Sequence, residues 1–168
     1  QSTMLSIGAF PVGSSVKPGT VYMAQAEGVI DPYEQIADTP MYIQGTNPRH
    51  SWIASIPPVD ARGALAWSSN IYMFHMAILL GNTNYVPNGP LVFPDPHATY
   101  QLMRSYYSQF GLGTLTQVDY PREEIGFMGG TDQSGTILDF AIGQFDNYNA
   151  MQMNQYVSTI ANGGYRVQ

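Results

Sequence analysis

The sequence predicts a helix-rich chain with long connecting loops. Three observations carry that expectation: apolar positions recur at helical spacing in four segments, capping residues and glycines bracket them, and polar, proline-broken stretches fill the chain between them. The first helix runs from Ser14 to a closing Gly28, with Val16, Thr20, Val21 and Ala24 at its periodic positions. Pro18 fits only in its first turn, because proline has no N–H to offer the Ser14 carbonyl. Residues 31–58 read as loop, with at most a short strand at Met41-Tyr42-Ile43-Gln44. Asp60 caps a short helix through Leu65. Ser68 or Ser69 caps the next, in which Ile71, Phe74, Ala77 and Ile78 form an apolar stripe stopped by Gly81.

Four prolines between Asn82 and Pro96 mark a surface loop. A helix from Ala98 to Phe110 follows, expected to turn Met103, Tyr106, Tyr107 and Phe110 inward and to stop at Gly111. Residues 113–130 mix strand and turn signals. The last helix, Ala150 to Asn162, carries Met153, Tyr156, Val157 and Ile160 on one side and finishes at Gly163-Gly164, a left-handed cap. No internal repeat or linker divides the 168 residues, so one domain or a large part of one is expected.

Composition narrows the function. A formal charge of -6, with Lys17 and five arginines as the only cations, offers no basic face for phosphates, which argues against a nucleic-acid partner. There is no cysteine, which removes disulfides and thiolate metal sites. His50, His75 and His97 lie far apart with no paired spacing, so no metal site is expected, and no cofactor motif is present. The longest apolar stretch, Ile71 to Leu80, is interrupted by His75 and falls short of the ~20 residues of a membrane span.

The candidate chemistry centres on Lys17, the only lysine, three residues after Ser14 in Val12-Gly13-Ser14-Ser15-Val16-Lys17-Pro18. Positions i and i+3 share a helix face, so the amine can reach the hydroxyl, a base beside a nucleophile. To act so, Lys17 must be neutral, and burial lowers a lysine pKa. The helix N-terminus would also stabilise an oxyanion formed as Ser14 attacks a carbonyl. The plain alternative is an N-capping serine and a solvated lysine, and the motif alone does not choose between them. A second constellation, Ser68-Ser69-Asn70, is the only Ser-x-Asn triplet and lies 54 residues after Ser14, just ahead of an apolar helix. Helix capping is its default role. If both helix starts meet at one cleft, Ser68 becomes a proton relay to Lys17 and Asn70 an amide aimed at a bound carbonyl: a serine acyl transferase.

These residues resemble the class B penicillin-binding proteins, specifically the elongation-type transpeptidases of low-GC Gram-positive bacteria. Gly13-Ser14-Ser15-Val16-Lys17-Pro18 is similar to their first active-site motif, and Ser68-Ser69-Asn70-Ile71-Tyr72-Met73 to the second. Residues 143–152 and 156–164 are similar to the family's most recognisable non-catalytic segment. Together they span nearly the whole chain in the family's order.

The resemblance implies an α/β (α+β) fold of the serine penicillin-recognising type, of which residues 1–168 would hold mainly the helical part. It implies Ser14 as the nucleophile that accepts the acyl group of a D-alanyl-D-alanine stem peptide or is trapped by a β-lactam. Lys17 would be the general base, Ser68 the proton shuttle toward the leaving amine, and Asn70 a ligand for the substrate's amide carbonyl. No cofactor is implied. The implied setting is an enzyme anchored in the cell membrane by a segment outside this sequence, facing outward beside a glycan polymerase. Two departures stand out. Val12 replaces a proline common in relatives, and the third motif, Lys-Ser/Thr-Gly on an edge strand, cannot occur because no lysine follows Lys17. The expectation is a partial transpeptidase domain, paired with the remainder in the parent protein and inactive alone.

Two other readings share both early motifs. A serine β-lactamase needs a carboxylate to activate deacylating water; Glu123 and Glu124, in Pro121-Arg122-Glu123-Glu124, lack the Glu-x-x-Leu-Asn pattern and read as a solvated turn. A β-lactam-sensing receptor domain would bind without turnover. The aromatics Trp52, Tyr100, Tyr106, Tyr107 and Phe110 read as core and cleft wall, and Trp67, directly before the triplet, reads as either cleft mouth or packing.

Overall fold

The computed structural model describes residues 8–119 and 122–167. A two-residue strand β1 (Phe10–Pro11) and a 3-10 turn (Gly13–Val16) lead into helix α1 (Lys17–Ala26). After a long loop come α2 (Ala61–Trp67), α3 (Asn70–Leu80) and α4 (Pro96–Gln109). A second 3-10 turn (Ser134–Thr136) feeds α5 (Ile137–Ala141), followed by β2 (Asn147–Tyr148) and α6 (Ala150–Ala161). Strand β1 pairs antiparallel with β2, Phe10 opposite Tyr148 and Pro11 opposite Asn147.

Helix α3 is the centre of the core. Ile71, Tyr72, Met73, Phe74, Met76, Ala77, Ile78 and Leu80 are all buried, so the expected stripe is in fact an almost fully apolar helix enclosed on nearly every side. It packs between α1 and α5. Helix α5 escapes the sequence pattern because five residues are too few to show a period, yet Ile137, Leu138, Phe140 and Ala141 are all buried. Bonds from the loops tie this layer to its surroundings. Arg49 reaches Asp139 on α5 from the 31–58 loop. Arg104 on α4 forms a two-pronged ion pair with the buried Asp146, at 2.8 Å for each prong.

Several expectations are corrected. The first helix does not begin as an α-helix at Ser14: the chain makes a 3-10 turn, because the Lys17 N–H bonds the Ser14 carbonyl that Pro18 cannot serve. The expected strand at 41–44 reduces to a single bridge between Met41 and Arg49. The mixed 113–130 stretch reduces to one bridge, Phe127 with Asn147, and its Pro121 lies outside the described residues, as does Gln168.

The largest correction concerns α6. Val157 and Ile160 are exposed, 56% and 41%, whereas Gln152, Gln155, Tyr156 and Thr159 are buried. Tyr156 and Met153 pack against the core as expected, but the rest of the inward face packs against backbone rather than against apolar side chains. Gln152 Nε2 donates to the Thr114 carbonyl at 2.8 Å, and Gln155 Nε2 to those of Thr116 at 3.2 Å and Val167 at 2.8 Å. Buried carbonyls need donors, and glutamine amides supply them. On α4, Met103 and Tyr107 do turn inward together with Tyr100, while Tyr106 and Phe110 stay half-buried at the edge, Tyr106 donating to Glu27. Among the described residues no helix is long and apolar enough to cross a membrane.

Candidate active site

The 3-10 turn that carries Ser14 is fixed from behind. Gly13 N donates to the Gly143 carbonyl at 2.9 Å, and the two backbones approach so closely that a Cβ on Gly143 would lie 2.2 Å from the Gly13 oxygen. Tyr156 of α6 ties the same region: its hydroxyl accepts from Gly19 N at 2.9 Å and donates to the Val16 carbonyl at 3.2 Å. Thr20 on α1 bonds both the Tyr107 hydroxyl and the Ala141 carbonyl, each at 2.8 Å. Ser14 itself is exposed, and its hydroxyl has no hydrogen-bond partner among the described residues. It caps nothing, which removes the N-cap reading.

Lys17 turns the other way, into the protein. Only 2% of it is exposed. Its Nζ donates to the Ser68 carbonyl at 2.7 Å and to Asn70 Oδ1 at 2.7 Å, and lies 3.0 Å from Ser68 Oγ. The two sequence motifs therefore meet through the amine. Burial lowers the Lys17 pKa from 10.5 to about 8, opposed by the nearby negative charge of Asp38. The solvated-lysine alternative is thereby excluded. No bond joins Nζ to the Ser14 hydroxyl, although the two residues stand only one turn apart, at the start and just past the end of the 3-10 turn.

The triplet is held in an unusual backbone. Ser68 ends α2 in the left-handed region (φ 52°, ψ 45°), which a non-glycine residue adopts at a cost of about 1–3 kcal/mol. That conformation aims its carbonyl at Lys17 and lets Ser69 start α3 at once, its side chain accepting from Tyr72 N at 2.9 Å. Of the two serines offered as caps, Ser69 is the cap of α3 and Ser68 is not. Asn70 is clamped at both ends of its amide, Oδ1 on Lys17 and Nδ2 on the His50 carbonyl at 3.2 Å. One N–H of that amide is still available to a ligand.

Beside the triplet, a cavity of about 410 Å³ is lined by Asp38, Tyr42, His50, Ser51 and Trp52, among others. Sequence spacing gives no pointer to Asp38 or Ser51, which sit in the irregular 31–58 loop. Trp52 is 71% exposed and its indole N–H bonds the Trp67 carbonyl at 2.8 Å, so both tryptophans flank the triplet at the surface. Glu123 is no free base: its carboxylate accepts from Thr116 N and Gln117 N. Among the described residues no group of His, Asp and Glu could hold a metal ion, and His97 bonds Thr131 at 2.8 Å.

A Ser-Lys pair at one helix start, met by a Ser-x-Asn turn at another, is the arrangement of the serine penicillin-recognising enzymes that the motifs resemble. The family model "Penicillin binding protein transpeptidase domain" matches residues 3–168, and the chain belongs to that family. Among its relatives are penicillin-binding protein 2A of Bacillus subtilis, 42% identical over 161 residues, which are 95% of this chain and 22% of that protein. Penicillin-binding protein H of the same organism is 44% identical over 169 residues, covering 97% of this chain and 23% of that protein. The solved structure of penicillin-binding protein 2B from Streptococcus pneumoniae R6 superposes with a TM-score of 0.93 at 35% identity, covering 99% of this chain and 27% of that one. These are class B proteins, as the motifs imply, and the chain spans about a quarter of their length.

Proposed function

We propose that the protein to which these residues belong is a peptidoglycan D,D-transpeptidase that works through a serine acyl-enzyme and is acylated by β-lactams. One observation carries the reading: the sole lysine is buried, with a lowered pKa, and its amine is held by the Ser68–Asn70 turn. With a pKa of about 8, roughly a tenth of the amine is neutral at pH 7 and able to accept a proton.

Ser14 is the nucleophile. Its unbonded hydroxyl turns toward Nζ, gives up its proton to neutral Lys17, and Oγ bonds to the carbonyl carbon of the penultimate D-alanine of a stem peptide. The carbonyl becomes an oxyanion facing the N–H groups of the helix start. On collapse the C–N bond breaks, and the proton passes from Lys17 through Ser68 Oγ to the departing D-alanine amine. Asn70 holds the substrate's amide carbonyl with its available N–H. The amine of a neighbouring stem peptide then attacks the ester, loses its proton back along the same relay, and releases Ser14. In a β-lactam the broken C–N bond lies in a ring, so the amine stays attached and the ester persists.

The rest of the reading follows the family: an outward-facing, membrane-anchored protein acting beside a glycan polymerase of the elongation machinery, with the remainder of the transpeptidase domain packed against these residues. Residues 1–168 form a partial domain that lacks the Lys-Ser/Thr-Gly strand and its oxyanion donor, so the isolated chain is inactive. The test is the intact mass of the full-length protein after penicillin treatment. One adduct per chain is expected on the parent and none on Ser14→Ala. An adduct that survives the substitution removes Ser14 from its role.

A further inference from the structure

The start of α3 hangs on a carboxylate from a distant loop. Ser51 Oγ accepts from Asn70 N at 2.9 Å and Ile71 N at 3.3 Å, so its own proton must point elsewhere, and it donates to Asp38 Oδ2 at 2.7 Å. Ser69 Oγ, fully buried, accepts from Tyr72 N and likewise donates to the same Asp38 oxygen. Two hydroxyls thus pass three of the first α3 N–H groups on to one carboxylate. A negative charge at the N-terminus of an eleven-residue helix is also favourable in itself. Immediately before these groups stands Ser68, whose carbonyl and hydroxyl meet Lys17, and Asn70 is itself one of the bonded residues.

We infer that Asp38 is a positioning residue of the acyl-transfer site, setting the Ser68–Asn70 turn against the Lys17 amine through Ser51 and Ser69. This rests on the transpeptidase reading above. Asp38 touches neither Ser14 nor the reacting carbonyl. It acts by fixing the turn, and its charge favours the protonated amine and so restrains how far burial lowers Lys17. Among the described residues it is the charged side chain whose field reaches Lys17. On the elements around α1, His75 on α3, which burial lowers, and Tyr107 and Tyr156, which burial raises, are uncharged near neutral pH, whereas Arg104 on α4 is paired with Asp146, Asp139 on α5 is paired with Arg49, and Arg62 on α2 is exposed.

Both serine bonds go to one oxygen, so Asp38→Asn can keep them while removing the charge, whereas Asp38→Ala removes both. The rate constant for acylation by a fluorescent penicillin, measured against pH on the full-length protein, separates these roles. Asp38→Ala is expected to slow acylation tenfold or more. Asp38→Asn is expected to stay within a few-fold of the parent at its plateau but to move the acid limb to lower pH, because the amine loses its proton more readily. Asp38→Ala within twofold of the parent overturns the inference, as does an acid limb that stays in place in Asp38→Asn, which would mark a purely structural tie. If Asp38→Ala does not fold, Ser51→Ala carries the rate arm with the same tenfold criterion. A parent that forms no adduct sinks the transpeptidase reading itself, a result distinct from all of these.

Discussion

Two serine turns open the helices α1 and α3 that Lys17 links, and they are built in opposite ways. The Ser68–Asn70 turn has its polar groups committed: Ser68 to Lys17, Ser69 to Asp38 and Tyr72, Asn70 to Lys17, His50 and Ser51. The Ser14 turn is held by its backbone, through Gly143 and Tyr156, and by the buried Val16 side chain, and its serine hydroxyl is exposed and unbonded. On the proposed reading the difference fits the roles, since a nucleophile must change partners during a reaction, whereas a relay must already be in place when the substrate arrives. The strained φ of Ser68 fits the second requirement, since it buys the orientation of a carbonyl and a hydroxyl together.

The sharpest way to break this contrast is to exchange the roles by mutation. Ser14→Ala should abolish the penicillin adduct altogether while leaving the melting temperature nearly unchanged, because an exposed hydroxyl without a partner contributes little to folding. Lys17→Met should slow acylation by roughly 10²–10⁴, the usual worth of a positioned general base. In the parent protein the acylation rate should climb as pH rises through about 8 and then level off, following the neutral amine. A flat profile between pH 6 and 9 would take the base role from Lys17. Ser68→Gly should divide the two functions of its turn: acylation falls roughly 10²-fold, the low end for a lost proton-transfer group. Stability changes by less than about 1 kcal/mol, because glycine adopts the left-handed backbone freely.

Gly143→Ala attacks the other turn from behind. The added methyl meets the Gly13 carbonyl at 2.2 Å and the backbone sits at φ 75°, so a loss of about 1–3 kcal/mol by urea denaturation is expected, with slower acylation as Ser14 shifts. A further effect is the pH dependence of stability. The folded state holds the Lys17 proton less tightly than the unfolded chain, so between about 8 and 10.5 the unfolded chain carries more protons and stability should rise with pH. Lys17→Met should lack that rise. Above pH 10 the buried Tyr107 and Tyr156, whose pKa values are raised, should make stability fall with pH in both proteins.

The parts of this molecule that were legible in advance are those whose cause is local. Asp60, Ser69 and Gly81 punctuate helices by their own side chains or lack of one, and they stand where the pattern places them. The Ser14, Lys17, Ser68 and Asn70 motifs are short and adjacent to helix starts, so their spacing survives in the sequence. What escaped notice is set by partners far along the chain. Part of the inward face of α6, Gln152 and Gln155, is polar because the 114–116 backbone and the Val167 carbonyl lie against it, and no periodicity in residues 150–161 contains that information. Asp38 and Ser51 lie in a loop with no period at all, and only the folded chain brings them to Ser69 and Asn70.

The clasp between Gly13 and Gly143, the β1–β2 pair and the Tyr156 hydroxyl join residues 10–16 to residues 143–156. A ribosome delivers the front of the chain long before these anchors exist. The segment bearing Ser14 must therefore wait, unsettled, until α6 has been synthesised, and loop closure over some 130 residues makes that docking slow compared with forming a helix. On the proposed reading, Ser14 would accordingly become reactive late in the maturation of this polypeptide, once the surroundings that activate it are complete.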